Sequence, residues 1–160
     1  MSRYPPEQLV EEGKKAPAIS LPDQDGNVHT LEDYKGKWVI LYFYPKDNTP
    51  GCTIESCGFR DAKKQYDQVN AVIFGISCDD EKSHTKFIEK FGLPFNLLAD
   101  TEKKTVEDYG VYKEKSMYGK KYMGIERTTF LINPEGMVHK IYYKVKPQGH
   151  EAEVLKDIET

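Results

Sequence analysis

The hydrophobic and polar positions of the chain alternate between short apolar runs and amphipathic stretches. Trp38 to Tyr44, WVILYFY, is an unbroken apolar and aromatic run bounded by Gly36-Lys37 and Pro45. Such a run suits a strand buried on both faces of a largely parallel sheet. Ala71 to Ser77, AVIFGIS, is a second run of this kind. The roughly 25 residues between them have helical character, as the right-handed crossover of a βαβ unit requires. Within that crossover Ile54, Ala62, Tyr66 and Val69 recur at helical spacing among charged residues. A further helix is predicted over Glu81 to Phe91, with an apolar face of Phe87, Ile88 and Phe91, a cap at Asp79 or Asp80, and an end at Gly92 and Pro94.

Phe95 to Ala99 reads as a short strand, and Asp100 and Thr101 offer caps for a helix running to Tyr109 and stopped by Gly110. Thr128 to Ile132 and Met137 to Val145 flank the turn Asn133-Pro134-Glu135-Gly136 and predict an antiparallel hairpin. Residues 149 to 159 form an amphipathic helix through Val154, Leu155 and Ile158. Ahead of the first buried strand, Ala16 to Leu21 and Val28 to Leu31 read as a hairpin around Pro22-Asp23-Gln24-Asp25-Gly26-Asn27, and Leu31 to Tyr34 as one helical turn. Residues 1 to 15 are polar, with room for a short helical turn before Gly13, and are expected to cover an edge. Met117 to Gly124, MYGKKYMG, has no clear period and reads as a loop. This order predicts an α/β sandwich: a central mixed β-sheet with parallel strands in the middle and antiparallel strands at its C-terminal side, flanked by helices and preceded by an N-terminal β-hairpin.

Composition narrows the function classes. With 160 residues the chain is expected to be one domain, residues 1–160. A net charge of −3, with Lys and Glu interleaved, gives no basic stripe for nucleic acid. The N-terminal segment has no apolar core of a targeting signal and no run approaches a membrane span, so a cytoplasmic location with no membrane partner is expected. Three cysteines do not make a disulfide scaffold, and in a reducing compartment a close pair points to redox chemistry.

The strand at Trp38 to Tyr44 ends in the turn formers Pro45, Asp47, Asn48, Thr49, Pro50 and Gly51, and the period becomes helical from Cys52. Cys52 therefore falls in the first turn of a helix, where unpaired N–H groups and the macrodipole favour a thiolate. A packed, inert cysteine is the alternative, and the placement argues for reactivity. Cys57 lies five residues on, which in a helix sets the two Cα atoms about 8 to 9 Å apart, beyond the ~7 Å reach of a disulfide. A bond between them would require the first turns to unwind. The spacing differs from C-x-x-C, and no second cysteine pair or spaced histidines make a zinc site. His29, His84, His139 and His150 read as surface residues. Glu55 is read evenly as a first-turn acid favoured by the dipole or as a support for catalysis. Cys78, at the end of a buried strand, reads as a packed thiol.

The run Pro45-x-x-x-Thr49-x-x-Cys52 resembles the active-site motif of the peroxiredoxins, and Thr49-Pro50-Gly51-Cys52-Thr53-x-Glu55-x-Cys57 resembles their Q-type subfamily, also called bacterioferritin comigratory protein. The likeness extends to Ala16-Pro17 with SLPDQDG, YFYPKDNTPGCT, Arg127 before TTFLI, and the Asn133 to Gly136 turn. The resemblance implies a thioredoxin-like fold and a thiol peroxidase that reduces hydrogen peroxide and alkyl hydroperoxides without metal, haem or flavin. It implies that Cys52 is the peroxidatic thiolate, that Thr49 sets its hydroxyl against the peroxide, that Pro45 shields the thiolate, and that Arg127 supplies the positive charge beside it. It also implies that Cys57 resolves the Cys52 sulfenic acid as an intrachain disulfide, that thioredoxin or a glutaredoxin-like dithiol recycles the enzyme in antioxidant defence, and that the protein is a monomer. Two other readings use the same residues: a protein-disulfide reductase or redox sensor, against which the absent C-x-x-C counts, and a non-catalytic binding or holdase domain, against which the intact Pro45, Thr49, Cys52 and Arg127 set counts.

Overall fold

The fold is built on a five-stranded mixed sheet, seen in a computed structural model that describes residues 10–159. Its strands are β3 (Trp38–Phe43), β4 (Ala71–Ser77), β5 (Asn96–Ala99), β8 (Thr128–Ile132) and β9 (Val138–Tyr142), in the order β5-β4-β3-β8-β9. Strands β3, β4 and β5 are mutually parallel, whereas β8 and β9 run antiparallel. The long apolar runs follow from burial on both faces. Val39, Leu41 and Phe43 point into one core with Phe74, Phe130, Val106 and Tyr109, while Ile40 and Tyr42 join Phe59, Tyr66, Phe87 and Val154 on the other side. The first core lies under α4 (Lys104–Asp108) and the N-terminal segment. The second lies under α1 (Pro50–Asp61), α2 (Lys63–Gln68), α3 (Glu81–Phe91) and α5 (His150–Glu159).

Helix α3 spans the predicted residues: Asp80 accepts from the Ser83 N–H at 2.8 Å, and Gly92 ends it at φ +62°. Strands β4 and β8 likewise match their predicted ranges. The N-terminal hairpin is shorter than expected, with only β1 (Leu21–Pro22) and β2 (Val28–His29) paired around an Asp23 side chain that accepts from the N–H groups of Asp25 and Asn27. Its leading residues are drawn elsewhere: Gly13 and Ala16 donate to the carbonyls of Val138 and Gly136, so this segment borders β9. Residues 1–9 of the expected edge cover lie outside the described residues.

Three expectations need correction. Residues 112–125, part of which reads as a loop, form the hairpin β6 (Tyr112–Met117) and β7 (Lys120–Ile125) around Tyr118 and Gly119, both at positive φ as a two-residue primed turn demands. Both of its faces are largely exposed, so no apolar alternation marks it. The crossover is two helices, because the chain breaks at Ala62. Ile54 is 50 % exposed, and the inward stripe of α1 is Cys52, Glu55, Ser56 and Phe59. Finally, His84 and His150 are buried and His29 is half-buried; of the four histidines only His139 is exposed.

Candidate active site

The parallel pair β3 and β4 ends at the loop Pro45–Thr49, the place where such sheets present ligand-binding loops. Thr49 is the N-cap of α1, Pro50 its first residue and Cys52 its third. Cys52 is thus in the first turn, as the sequence predicts, and its side chain is fully buried. The helix is set against the sheet by a buried pair, Tyr42 Oη and Ser56 Oγ at 2.9 Å. Gly75 makes room for that tyrosine, since a methyl there would lie 2.7 Å from the Tyr42 ring.

Arg127 immediately precedes β8, and the β3–β8 register places Thr128 opposite Phe43. That pairing brings Arg127, 75 residues away in sequence, to the end of β3 where α1 begins. Its backbone carbonyl accepts from Val145 N–H at 2.9 Å. Its guanidinium divides between two partners: Nη1 donates to Glu55 Oε1 at 2.8 Å and Nη2 to Cys52 Sγ at 3.4 Å. Burial opposes the charge on Arg127, but Glu55 and Cys52 together outweigh it and hold the group more basic than usual. Arg127 thus sets a fixed cation beside Sγ.

Glu55 is the second half of this arrangement. Burial pushes its carboxyl up from 4.5 to about 7, against the pull of Arg127. No protein group among the described residues reaches its Oε2. The expected first-turn acid is thus in the second turn of α1, as its sixth residue, where it is buried and orients the guanidinium that meets Cys52.

The remaining expected residues fall as follows. Pro45 is half-buried at the head of the loop. Thr49 caps α1 by position only: its hydroxyl donates to the Lys46 carbonyl at 2.8 Å and bonds no helix N–H. Cys57 is a half-buried free thiol in the same helix as Cys52. Five residues turn a helix by about 500°, so it faces some 140° away from the inward stripe. Cys78 packs against the sheet's first core, where burial and the nearby Asp100 push its thiol up to about 11. No group of three or more His, Cys, Asp or Glu side chains among the described residues is placed to hold a metal ion. No described helix is long and apolar enough to cross a membrane.

Sequence reasoning missed Asp47 and His84, which lie beside the loop. Asp47 is read as a turn former and His84 as a surface residue, yet their side chains meet at 2.7 Å in a buried position.

Residues 12–141 match the family model described as AhpC/TSA family. The putative peroxiredoxin bcp of Coxiella burnetii is 53 % identical over 146 residues, which is 91 % of this chain and 97 % of the relative. Peroxiredoxin Bcp of Bacillus subtilis is 50 % identical over 149 residues, covering 93 % and 95 % of the two chains. Among solved structures, Xanthomonas campestris peroxiredoxin Q superposes with a TM-score of 0.84 at 42 % identity, covering 88 % of this chain and 89 % of that one. The bacterioferritin comigratory protein of the same organism, solved as trapped intermediate and ligand complexes bearing on its alkyl peroxide reduction, gives 0.87 at 40 % identity over 93 % and 98 %.

Proposed function

Because the chain belongs to the AhpC/TSA family as a peroxiredoxin of the Bcp or Q type, a thiol peroxidase with a thioredoxin-like fold, we propose that Cys52 is the thiol that attacks the peroxide and that Cys57 resolves the product. The observation that carries this assignment is the Arg127 guanidinium donating to Cys52 Sγ in the first turn of α1. The thiolate attacks the terminal peroxide oxygen, forming an S–O bond as the O–O bond breaks. The leaving alkoxide or hydroxide takes up a proton and departs as alcohol or water, and Cys52 is left as a sulfenic acid. Charge moves from sulfur to the leaving oxygen in this step, so a cation already held beside the reacting atoms stabilises the transition state without reorganising. Thr49 turns its hydroxyl from the Lys46 carbonyl toward the bound peroxide, and Pro45 limits water at the thiolate.

Cys57 then attacks the sulfenic sulfur. The S–S bond forms, the hydroxyl leaves as water with the Cys57 proton, and α1 opens to let the two sulfurs meet. A thiol reductant completes the cycle, and thioredoxin or a glutaredoxin-like dithiol is the proposed donor. Peroxide consumption coupled to thioredoxin, thioredoxin reductase and NADPH tests the whole reading. Turnover that depends on Cys52, with a Cys52–Cys57 link found by peptide mapping, is the expected result. Undiminished turnover in Cys52→Ser would overturn it.

A further inference from the structure

The loop between β3 and the Cys52 helix is held by a buried polar hub that the peroxide chemistry above does not use. At its centre is Asp47, 8 % exposed, whose carboxylate accepts from Tyr44 Oη at 2.5 Å and Ser83 Oγ at 2.8 Å and meets His84 Nδ1 at 2.7 Å. The Asp47 N–H donates to Asp79 Oδ2 at 2.8 Å, and the Ser77 hydroxyl donates to the same oxygen at 2.7 Å. His84, fully buried in α3, also places Nε2 3.0 Å from the Leu98 carbonyl in β5. A carbonyl can only accept, so Nε2 carries a proton and the ring is bonded at both ends. The imidazole thus links β5 to the active-site loop through one carboxylate.

Burying these groups carries a desolvation cost that apolar side chains of similar size would avoid. Their position explains them better than stability does, because four of these six bonds end on Asp47, in the loop between Pro45 and Thr49. We propose that His84 is a positioning residue for the peroxidase reaction: it fixes Asp47, and through it the loop that presents Thr49 and the start of the Cys52 helix. This inference rests on reading Cys52 as the peroxide-attacking thiol. It divides the site into a fixed half, Pro45–Asp47 with the hub, and an opening half, α1. Asn48, at φ +59°, stands between them, and the Thr49 carbonyl, which accepts from Thr53 N–H at 2.8 Å, makes the first helical bond of α1.

The test is single-turnover oxidation of Cys52 by hydrogen peroxide in the wild type, His84→Gln, Asp47→Asn and the double variant, alongside reduction of the oxidised protein by dithiothreitol. Each single substitution is expected to slow oxidation about 10- to 100-fold, the loss typical of a misplaced reacting group. The double variant should be no slower than the worse single, because both break one connection. Reduction by dithiothreitol, which acts on the opened helix, should keep its wild-type rate. Asp47→Asn alters a loop and not a core helix, so it carries the test if His84→Gln does not fold. Wild-type oxidation in folded Asp47→Asn overturns the inference, and so does an equal slowing of both half-reactions. Cys52→Ser is run beside them: peroxide consumption surviving there removes the underlying reading, which separates that failure from this one.

Discussion

At Gly51 the helix surface has no room for a methyl group, which would lie 2.9 Å from Arg127 Nη2 and 3.5 Å from Pro147 Cγ. The tighter contact is with the end of a flexible side chain, so an added methyl displaces the guanidinium and leaves the backbone in place. Alanine also favours a helix by up to about 1 kcal/mol over glycine. Gly51→Ala is therefore expected to keep or slightly raise Tm while slowing Cys52 oxidation about tenfold or more, as the donor moves off Sγ. Stopped-flow oxidation beside a thermal melt reads both quantities, and an unchanged oxidation rate would contradict the argument. Arg127→Lys keeps the charge but not the planar fork that reaches Glu55 and Cys52 together. A loss of roughly 10²- to 10³-fold in the oxidation rate is expected, comparable to removing one oxyanion donor. Cys78, pushed up to about 11, is a protonated thiol at neutral pH, so Cys78→Ser should turn over normally.

Helix α1 has to be both well placed and easily opened. Cys52 and Cys57 face different directions on it, and a disulfide between them cannot form while the helix is intact. Gly51, Ser56 and Gly58 weaken its intrinsic stability, while Phe59 and the Tyr42–Ser56 bond hold its inner face. Cys57→Ser should be oxidised once at the wild-type rate, stall as a sulfenic acid detectable by dimedone trapping, and lose reductant-coupled turnover. Amide exchange across residues 50–61 should be faster in the oxidised wild type than in the reduced form, and identical exchange would argue against opening. The elements legible in the sequence were those whose pattern the core imposes: β3, β4, α3, β8 and α5 each bury a defined face or both. Helix α1 was legible as a helix, but its inner face was not, because the break at Ala62 resets the phase that Ile54 and Tyr66 had suggested. The β6–β7 hairpin left no trace because most of its residues are exposed on both faces, so no apolar alternation is imposed on them. The pairing of Arg127 with Cys52 could come only from resemblance, since a contact across 75 residues depends on the β3–β8 register. His84 looked like a surface residue because nothing local to it announces Asp47 or the Leu98 carbonyl.

Across the whole molecule the site costs stability, and Glu55 is where that cost can be measured. It joins α1 to Arg127 just before β8, with a fully buried side chain. Unfolded, it loses its proton near 4.5; folded, burial delays that loss to about 7 despite Arg127. Between these values folding takes up a proton, so the unfolded chain binds fewer protons and stability falls as pH rises. The contribution is present in full below about 4.5, declines toward 7 and is constant above it. The change from 4.5 to about 7 corresponds to about 3 kcal/mol. Gln at this position keeps the shape and an oxygen for Arg127 Nη1 but has no proton to exchange. Urea unfolding of wild type and Glu55→Gln from pH 4.5 to 8 isolates the effect from every other titrating group, because only the difference between the two proteins is used. That difference should move in favour of Glu55→Gln by about 3 kcal/mol over the window. A difference that stays flat with pH would mean that Glu55 titrates in the folded protein as it does in the unfolded chain. Above about pH 7, where Glu55 is ionised, the same variant should oxidise more slowly, because a neutral amide holds the Arg127 guanidinium less firmly than a carboxylate does. Greater stability joined to slower chemistry is the combination expected of a buried acid retained to orient the cation that meets Cys52.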